Sequence, residues 1–199
     1  MAGTRPGRDW GVSPYEYPVE ILHLVVSPEH AYFGRPRDGA ATVPTTDADS
    51  VEVVAGKGVV GDRFYGKAAH MDAAVTLFAT ESLESIAAKL GTGPLDPLLT
   101  RRTVVLRGAE LTPLIGHEIV LRSGPGDEVR LRPGRHAAPC AWMDRVLAPG
   151  AHAAMRGRGG LRCMPLTDGL LHRGPATLLS PVPLDPSRAG EAVRRPRLP

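Results

Sequence analysis

Val75-Thr76-Leu77-Phe78-Ala79-Thr80-Glu81-Ser82-Leu83-Glu84-Ser85-Ile86-Ala87-Ala88-Lys89-Leu90-Gly91 is the stretch on which the fold turns. Its first four residues have the apolar, partly β-branched character of a strand, and after them the period changes. Leu83, Ile86, Ala87 and Leu90 fall on one face at the 3.6-residue repeat of a helix, which therefore has something flat to pack on. Thr80 is expected to cap the helix and Gly91 to stop it. It is the only long helix expected.

On both sides of this unit the apolar residues come in short runs broken by Gly, Pro and Asp. Val19 to Val26 reads as a strand closed by Pro28, and Arg35 to Ser50 as a Gly, Pro, Thr and Asp loop. Val51 to Ala55, Thr103 to Arg107, Glu118 to Arg122 and Glu128 to Arg132 read as further strands, the last two joined across Gly124-Pro125-Gly126. Gly160 to Leu166 and Pro175 to Leu179 complete the series, separated by the turn Thr167-Asp168-Gly169. Many short strands with one long helix imply a mostly β fold with α insertions, either a barrel or a strongly curved sheet. Residues 1–17 and 180–199, rich in Pro, Arg and Gly without apolar periodicity, are expected to be poorly ordered tails around a single domain at 18–179.

Composition excludes several functions. No apolar run approaches the ~20 residues that a membrane helix needs, and no apolar segment follows the first charges as in a secretory signal. The expected location is the cytoplasm. The net charge of +3 is not a nucleic-acid footprint, because residues 18–179 carry 18 basic against 17 acidic side chains, with no basic stripe interleaved with aromatics. Two cysteines, Cys140 and Cys163, form neither a disulfide framework nor a Cys-x-x-Cys zinc site.

The chemistry is sought at Cys140. It follows Pro139 at the end of an extended run from His136, and Ala141 to Leu147 is expected to form a short helix whose positive end would favour a thiolate. The bland alternative is a small buried residue, the usual fate of a free cysteine. That fate is expected of Cys163, on one face of a strand with Leu161 and Pro165. Arg158, Gly159 and Gly160, within Arg156-Gly157-Arg158-Gly159-Gly160, have the composition of a loop that wraps a phosphate, or of a plain arginine-rich surface loop. Lys57, Gly61, Asp62 and Arg63, in Gly56-Lys57-Gly58-Val59-Val60-Gly61-Asp62-Arg63, and the pair Arg101-Arg102 are candidates of the same kind, with Asp62 able to orient Arg63 or Lys57. The glycine spacing is not a dinucleotide fingerprint, since no helical period follows it. His136 and His152 are the histidines nearest in sequence to Cys140 and could serve as proton carriers, or be structural.

Taken in order, these segments resemble the MOSC domain, the module named for the C-terminal part of molybdenum cofactor sulfurase. Gly56 to Arg63 resembles the family's early Gly-Asp-Arg/Lys loop, and Arg101-Arg102-Thr103-Val104 with Leu114-Ile115-Gly116 its central Arg-Asn run and the Leu-x-Gly after it. Pro139-Cys140 resembles the cysteine segment. Arg158-Gly159-Gly160-Leu161-Arg162 with Asp168-Gly169 and Gly174 resembles the closing hairpin. Thr103 stands where an Asn is usual, and His172-Arg173-Gly174-Pro175 replaces a Gly-Asp ending.

The resemblance implies a MOSC-type, β-barrel-like domain that binds the molybdenum cofactor (molybdopterin) or carries sulfur as a persulfide, with Cys140 as metal ligand or sulfur carrier. It implies a sulfurtransferase or a reductase of N-hydroxylated compounds, with a non-catalytic cofactor carrier and a molybdenum-independent thiol enzyme as alternatives. Lys57, Gly61, Asp62, Arg63, Arg101, Arg102, Arg158, Gly159 and Gly160 would bind the cofactor. The expected partners are a small-molecule cofactor or substrate and either a cysteine desulfurase or an electron-donor protein, with no nucleic acid and no membrane. No pyridoxal-phosphate desulfurase part is found in this sequence, so another protein would load the sulfur.

Overall fold

The computed structural model describes residues 14–193, so the expectations for 1–13 and 194–199 lie outside the described residues. The strands are β1 (Tyr15–Val26), β2 (Thr46–Asp47), β3 (Ser50–Val54), β4 (Gly58–Val59), β5 (Val75–Ala79), β6 (Val104–Arg107), β7 (Ile119–Gly124), β8 (Asp127–His136), β9 (Leu161–Pro165), β10 (Gly169–His172) and β11 (Gly174–Ser180). The helices are α1 (Thr80–Leu90), α2 (Trp142–Val146) and α3 (Ala151–Ala154).

Strands β11, β7, β8, β9, β5, β6 and β1 pair in that order, and β1 returns to β11, closing a barrel and leaving none of the seven as an open edge. Only β5 and β6 run parallel; the other barrel pairs are antiparallel. β10, β3 and β4 form a separate antiparallel sheet. Among the described residues no helix is long and apolar enough to cross a membrane. The mostly β, barrel-like class expected from the sequence is the observed one.

Alternation fills the barrel. Ile21, Leu24, Leu77, Leu106, Leu121, Leu131 and Leu161 are buried in one core, whereas Arg107 and Arg132 on the same strands face out. β5 departs from alternation because all five of its residues are buried. Val75, Leu77 and Ala79 enter the barrel core, while Phe78 joins a second core with Val105, Leu83, Ile86, Trp142, Met143 and Met155. The flat partner required by α1 is thus the outer face of β5 and β6. That layer matters for function, because Trp142 anchors the segment that carries Cys140.

Several boundaries differ from expectation. Thr80 does not cap α1; Ala79 occupies the N-cap and makes no side-chain cap bond. Gly91 does stop the helix, in the left-handed region at φ 66° with its N–H on the Ala87 and Ala88 carbonyls. The Arg35 to Ser50 loop contains a 3-10 turn at Pro36–Asp38 and the short β2. The domain also extends beyond 18–179 at both ends. β1 starts at Tyr15, the Tyr17 hydroxyl accepts the Leu184 N–H at 2.6 Å, and Val182 and Leu184 pack on the barrel core. These anchors lie among prolines and have no period, which hides them from a periodicity search.

Candidate functional site

Two arginines at the entrance to β6 organise the site. The 3-10 turn Pro97–Thr100, capped by the Asp96 carboxylate on the Leu98 N–H, ends at Arg101 with φ 54°. Among the described residues Arg101 is the only non-glycine with positive φ, a conformation that costs an L-residue ~1–2 kcal/mol. Its side chain supplies the compensation, donating to the Ser27 hydroxyl at 2.7 Å, the Glu29 carbonyl at 2.5 Å and the Thr45 hydroxyl at 3.4 Å.

Arg102 serves a different segment. Its Nε donates to the Gly159 carbonyl at 3.0 Å, and its Nη2 donates to the Ala137 and Ala138 carbonyls at 3.2 and 3.5 Å. Burial pushes its pKa down to about 10; Arg162 nearby acts in the same direction and Cys140 against it. Thr103, where the family resemblance expects Asn, exchanges backbone and hydroxyl hydrogen bonds with Thr76 at 2.7 to 3.4 Å and so fastens the start of β6 to β5.

The glycine loop supplies the third guanidinium. Gly58 must be glycine, since its φ is +108° and a Cβ would lie 2.9 Å from Ala74. Gly61 follows with φ +82° at the surface. The Asp62 carboxylate is buried and accepts from the Ser27 and Phe64 amides and from Arg63 Nη1 at 3.2 Å. Of the two cations it was expected to orient, it holds Arg63. Arg63 Nη2 reaches the Arg101 carbonyl at 3.3 Å, and its guanidinium carbon lies 4.6 Å from the Phe64 ring centroid. Burial lowers the Arg63 pKa, Asp62 opposes that shift and Arg101 adds to it. Lys57 is exposed on the same loop.

Cys140 is exposed, ahead of α2, and its carbonyl accepts the Met143 N–H at 3.0 Å. Trp142, buried in the outer core, stacks on Tyr32 at 5.4 Å and 16°. The Tyr32 hydroxyl donates to the Leu99 carbonyl at 2.5 Å, and the Arg101 guanidinium carbon is 5.6 Å from its ring centroid. Burial raises the Tyr32 pKa; Arg101 opposes this and Cys140 reinforces it, which places the thiol within electrostatic reach of both Tyr32 and Arg102. His30 and Phe64 meet edge to face at 5.3 Å, and His70 lies 4.9 Å from Phe64. His30 is held below its ordinary pKa by burial, then by Arg63, Arg101 and His70.

The remaining expected residues separate. Gly159 and Gly160 are wall residues: a Cβ on Gly159 would lie 2.2 Å from the Ala137 carbonyl oxygen and one on Gly160 2.3 Å from that of Leu77. Arg158 points away from the cluster to the Ser85 hydroxyl of α1 and lines a different cavity with His136. Neither His136 nor His152 hydrogen-bonds Cys140 among the described residues; the His152 amide donates to Asp144. Cys163 is buried in the barrel, as expected, and burial pushes its thiol pKa far up. Tyr32, His30, Phe64, His70 and Trp142 were not singled out from the sequence. The available signal was that the few aromatics, 5% of the chain, cluster at Tyr32-Phe33 and Phe64-Tyr65.

The chain is similar in fold to YuaD. That Bacillus subtilis protein superposes with a TM-score of 0.63 at 18% identity, over 82% of this chain and 96% of the YuaD chain. YiiM from Geobacillus stearothermophilus gives 0.56 at 16% identity, over 81% of this chain and 75% of its own. YiiM from Escherichia coli gives 0.54 at 16% identity, over 89% and 76%. No family model matches the sequence, and no curated protein matches it. At these identities the likeness is one of fold.

Proposed function

We propose that this is a MOSC-type protein in which Cys140 is a soft-metal ligand or sulfur carrier. The observation that carries the reading is an exposed thiol close to Arg102, between the Ala137 and Ala138 carbonyls that this arginine braces and the stack of Trp142 on Tyr32. The barrel, shared with YuaD and YiiM, supports the reading at the level of fold.

The residues fit a cofactor that brings its own metal ligands. Among the described residues no group of three or more His, Cys, Asp or Glu could hold a metal ion alone, whereas one thiolate can complete the coordination of a metal already bound to an organic ligand. A bound molybdenum cofactor would supply a redox-active, thiophilic metal. Cys140 would be its protein ligand, and Arg63 with Lys57 would hold its anionic group. Arg101 and Arg102 spend most of their donors on the protein itself, so they act as positioning residues that also set the local charge. Asp62 orients Arg63 and Gly61 allows close backbone approach, whereas Gly159 and Gly160 are needed as glycines for packing against the Ala137 and Leu77 carbonyls.

Cys140 has no hydrogen-bonded base among the described residues, which favours ligation or sulfur carriage over a thiol enzyme that needs a paired histidine. As a carrier it would be loaded by a cysteine desulfurase; as a reductase it would need an electron-donor protein. Metal and pterin analysis of protein expressed with molybdate, alongside persulfide detection after incubation with a desulfurase and cysteine, tests both forms. Protein that acquires neither would refute the proposal.

A further inference from the structure

A cavity of about 390 Å³ opens between the first turn of α1, the segment from Gly157 to Leu161 and the C-terminal stretch 188–193. Its volume falls in the lower part of the range for small-ligand pockets. The C-terminal stretch is tied across it: the Val193 N–H donates to the Gly157 carbonyl at 3.0 Å, and Gly190 fits so closely on α1 that a Cβ would lie 2.5 Å from the Glu81 carbonyl carbon.

Two arginines and two glutamates line this cavity, but they are paired unequally. Arg188 is committed to Glu110 and Glu191, both at 3.3 Å. Arg158 has no carboxylate partner among the described residues; its Nη1 donates to the Ser85 hydroxyl, and its Nε is buried without an acceptor. A buried guanidinium N–H left unpaired is unfavourable, so the side chain gains by turning toward an acceptor in the cavity. On the α1 side Ala79 and Ser82 line the cavity, and the helix starts without a side-chain cap and carries Glu81 in its first turn, whose Oε1 accepts the Gly108 amide.

We propose that this cavity is an oxyanion site, distinct from the Cys140 cluster, which takes the phosphate or carboxylate group of a small molecule with Arg158 as its principal cation. The inference stands whether or not Cys140 binds a metal. Planar N–H donors suit either oxyanion, and Ser82 adds a hydroxyl.

The test is an amide NMR titration of the full chain with inorganic phosphate and, separately, acetate at low salt. The amides of Ser82, Gly157 and Gly160 should shift saturably, and the tighter of the two anions names the ligand group. Arg158→Gln should weaken this binding by about tenfold or more, the loss of one charge-assisted contact. Glu191→Gln, on an exposed residue, should strengthen it by removing a lining carboxylate. Shifts confined to Arg63, Phe64 and Arg102, or undiminished in Arg158→Gln, would overturn the proposal. Should Arg158→Gln fail to fold, Glu191→Gln decides alone, and no gain in affinity would overturn it.

Discussion

Arg102 Nε donates to the Gly159 carbonyl at 3.0 Å, joining the entrance of β6 to the loop that leads into β9. The same guanidinium takes the Ala137 and Ala138 carbonyls, in the segment that runs from the end of β8 to Cys140, so one side chain braces both stretches. Backbone carbonyls away from regular pairing need donors, and here a cation provides them without an opposing carboxylate.

Removing the brace should therefore affect the thiol as well as the fold. Arg102→Ala should destabilise by about 2–3 kcal/mol, the range for hydrogen bonds to a charged group together with acceptors left unpaired. Arg102→Lys should restore the charge but not the fork. Urea melts read the first effect. The rate of Cys140 alkylation reads the second: it should fall in Arg102→Ala and recover in Arg102→Lys, whereas a purely structural role would leave the two variants alike.

Gly160→Ala should be among the most damaging single substitutions. At φ +87° with a Cβ 2.3 Å from the Leu77 carbonyl oxygen, it combines a disfavoured backbone with a clash against backbone. A loss of about 2–4 kcal/mol is expected, measurable by chemical denaturation. Gly116→Ala, also at positive φ but with open space around it, should cost only the backbone part.

The two thiols should separate cleanly by reactivity. Iodoacetamide on the native protein should label Cys140 alone, because Cys163 is sealed in the barrel and burial pushes its thiol pKa up. Cys140→Ser should label only after denaturation. Mass spectrometry of the labelled peptides checks both.

Acid should loosen the aromatic wall of the site. His30 is held below its ordinary 6.5 by burial and by Arg63, Arg101 and His70, with Asp62 opposing. The unfolded chain therefore takes up its proton first, and stability falls as pH drops from the unfolded value toward the lower folded one. Melting temperatures measured between pH 7.5 and 5 should decline less steeply for His30→Gln than for wild type.

Much of this arrangement was legible in the sequence. The change of period at Thr80 announced α1, and the short apolar runs announced the barrel, because side chains alternate on strands that enclose one core. β5 was legible as a strand but not as one buried on both faces, since a continuous apolar run does not reveal what lies on each side. Arg63, Arg101 and Arg102 were found as separate basic residues. Their convergence depends on the pairing of β1 with β6 and on the left-handed turn at Arg101, neither of which leaves a local mark. Arg158 was grouped with them by composition, yet its neighbours in space are Ser85 and His136. Tyr32 and His30 were missed because a loop aromatic has no period to report its partner.

The role of the Cys140 sulfur is tested most directly by measuring molybdenum and sulfane sulfur per chain in wild type and Cys140→Ser, purified side by side from cells fed molybdate. Wild type should hold at least one of the two in proportion to protein, and the serine variant, still folded by circular dichroism, should hold neither. Equal loading of both proteins, or none in wild type, would contradict it.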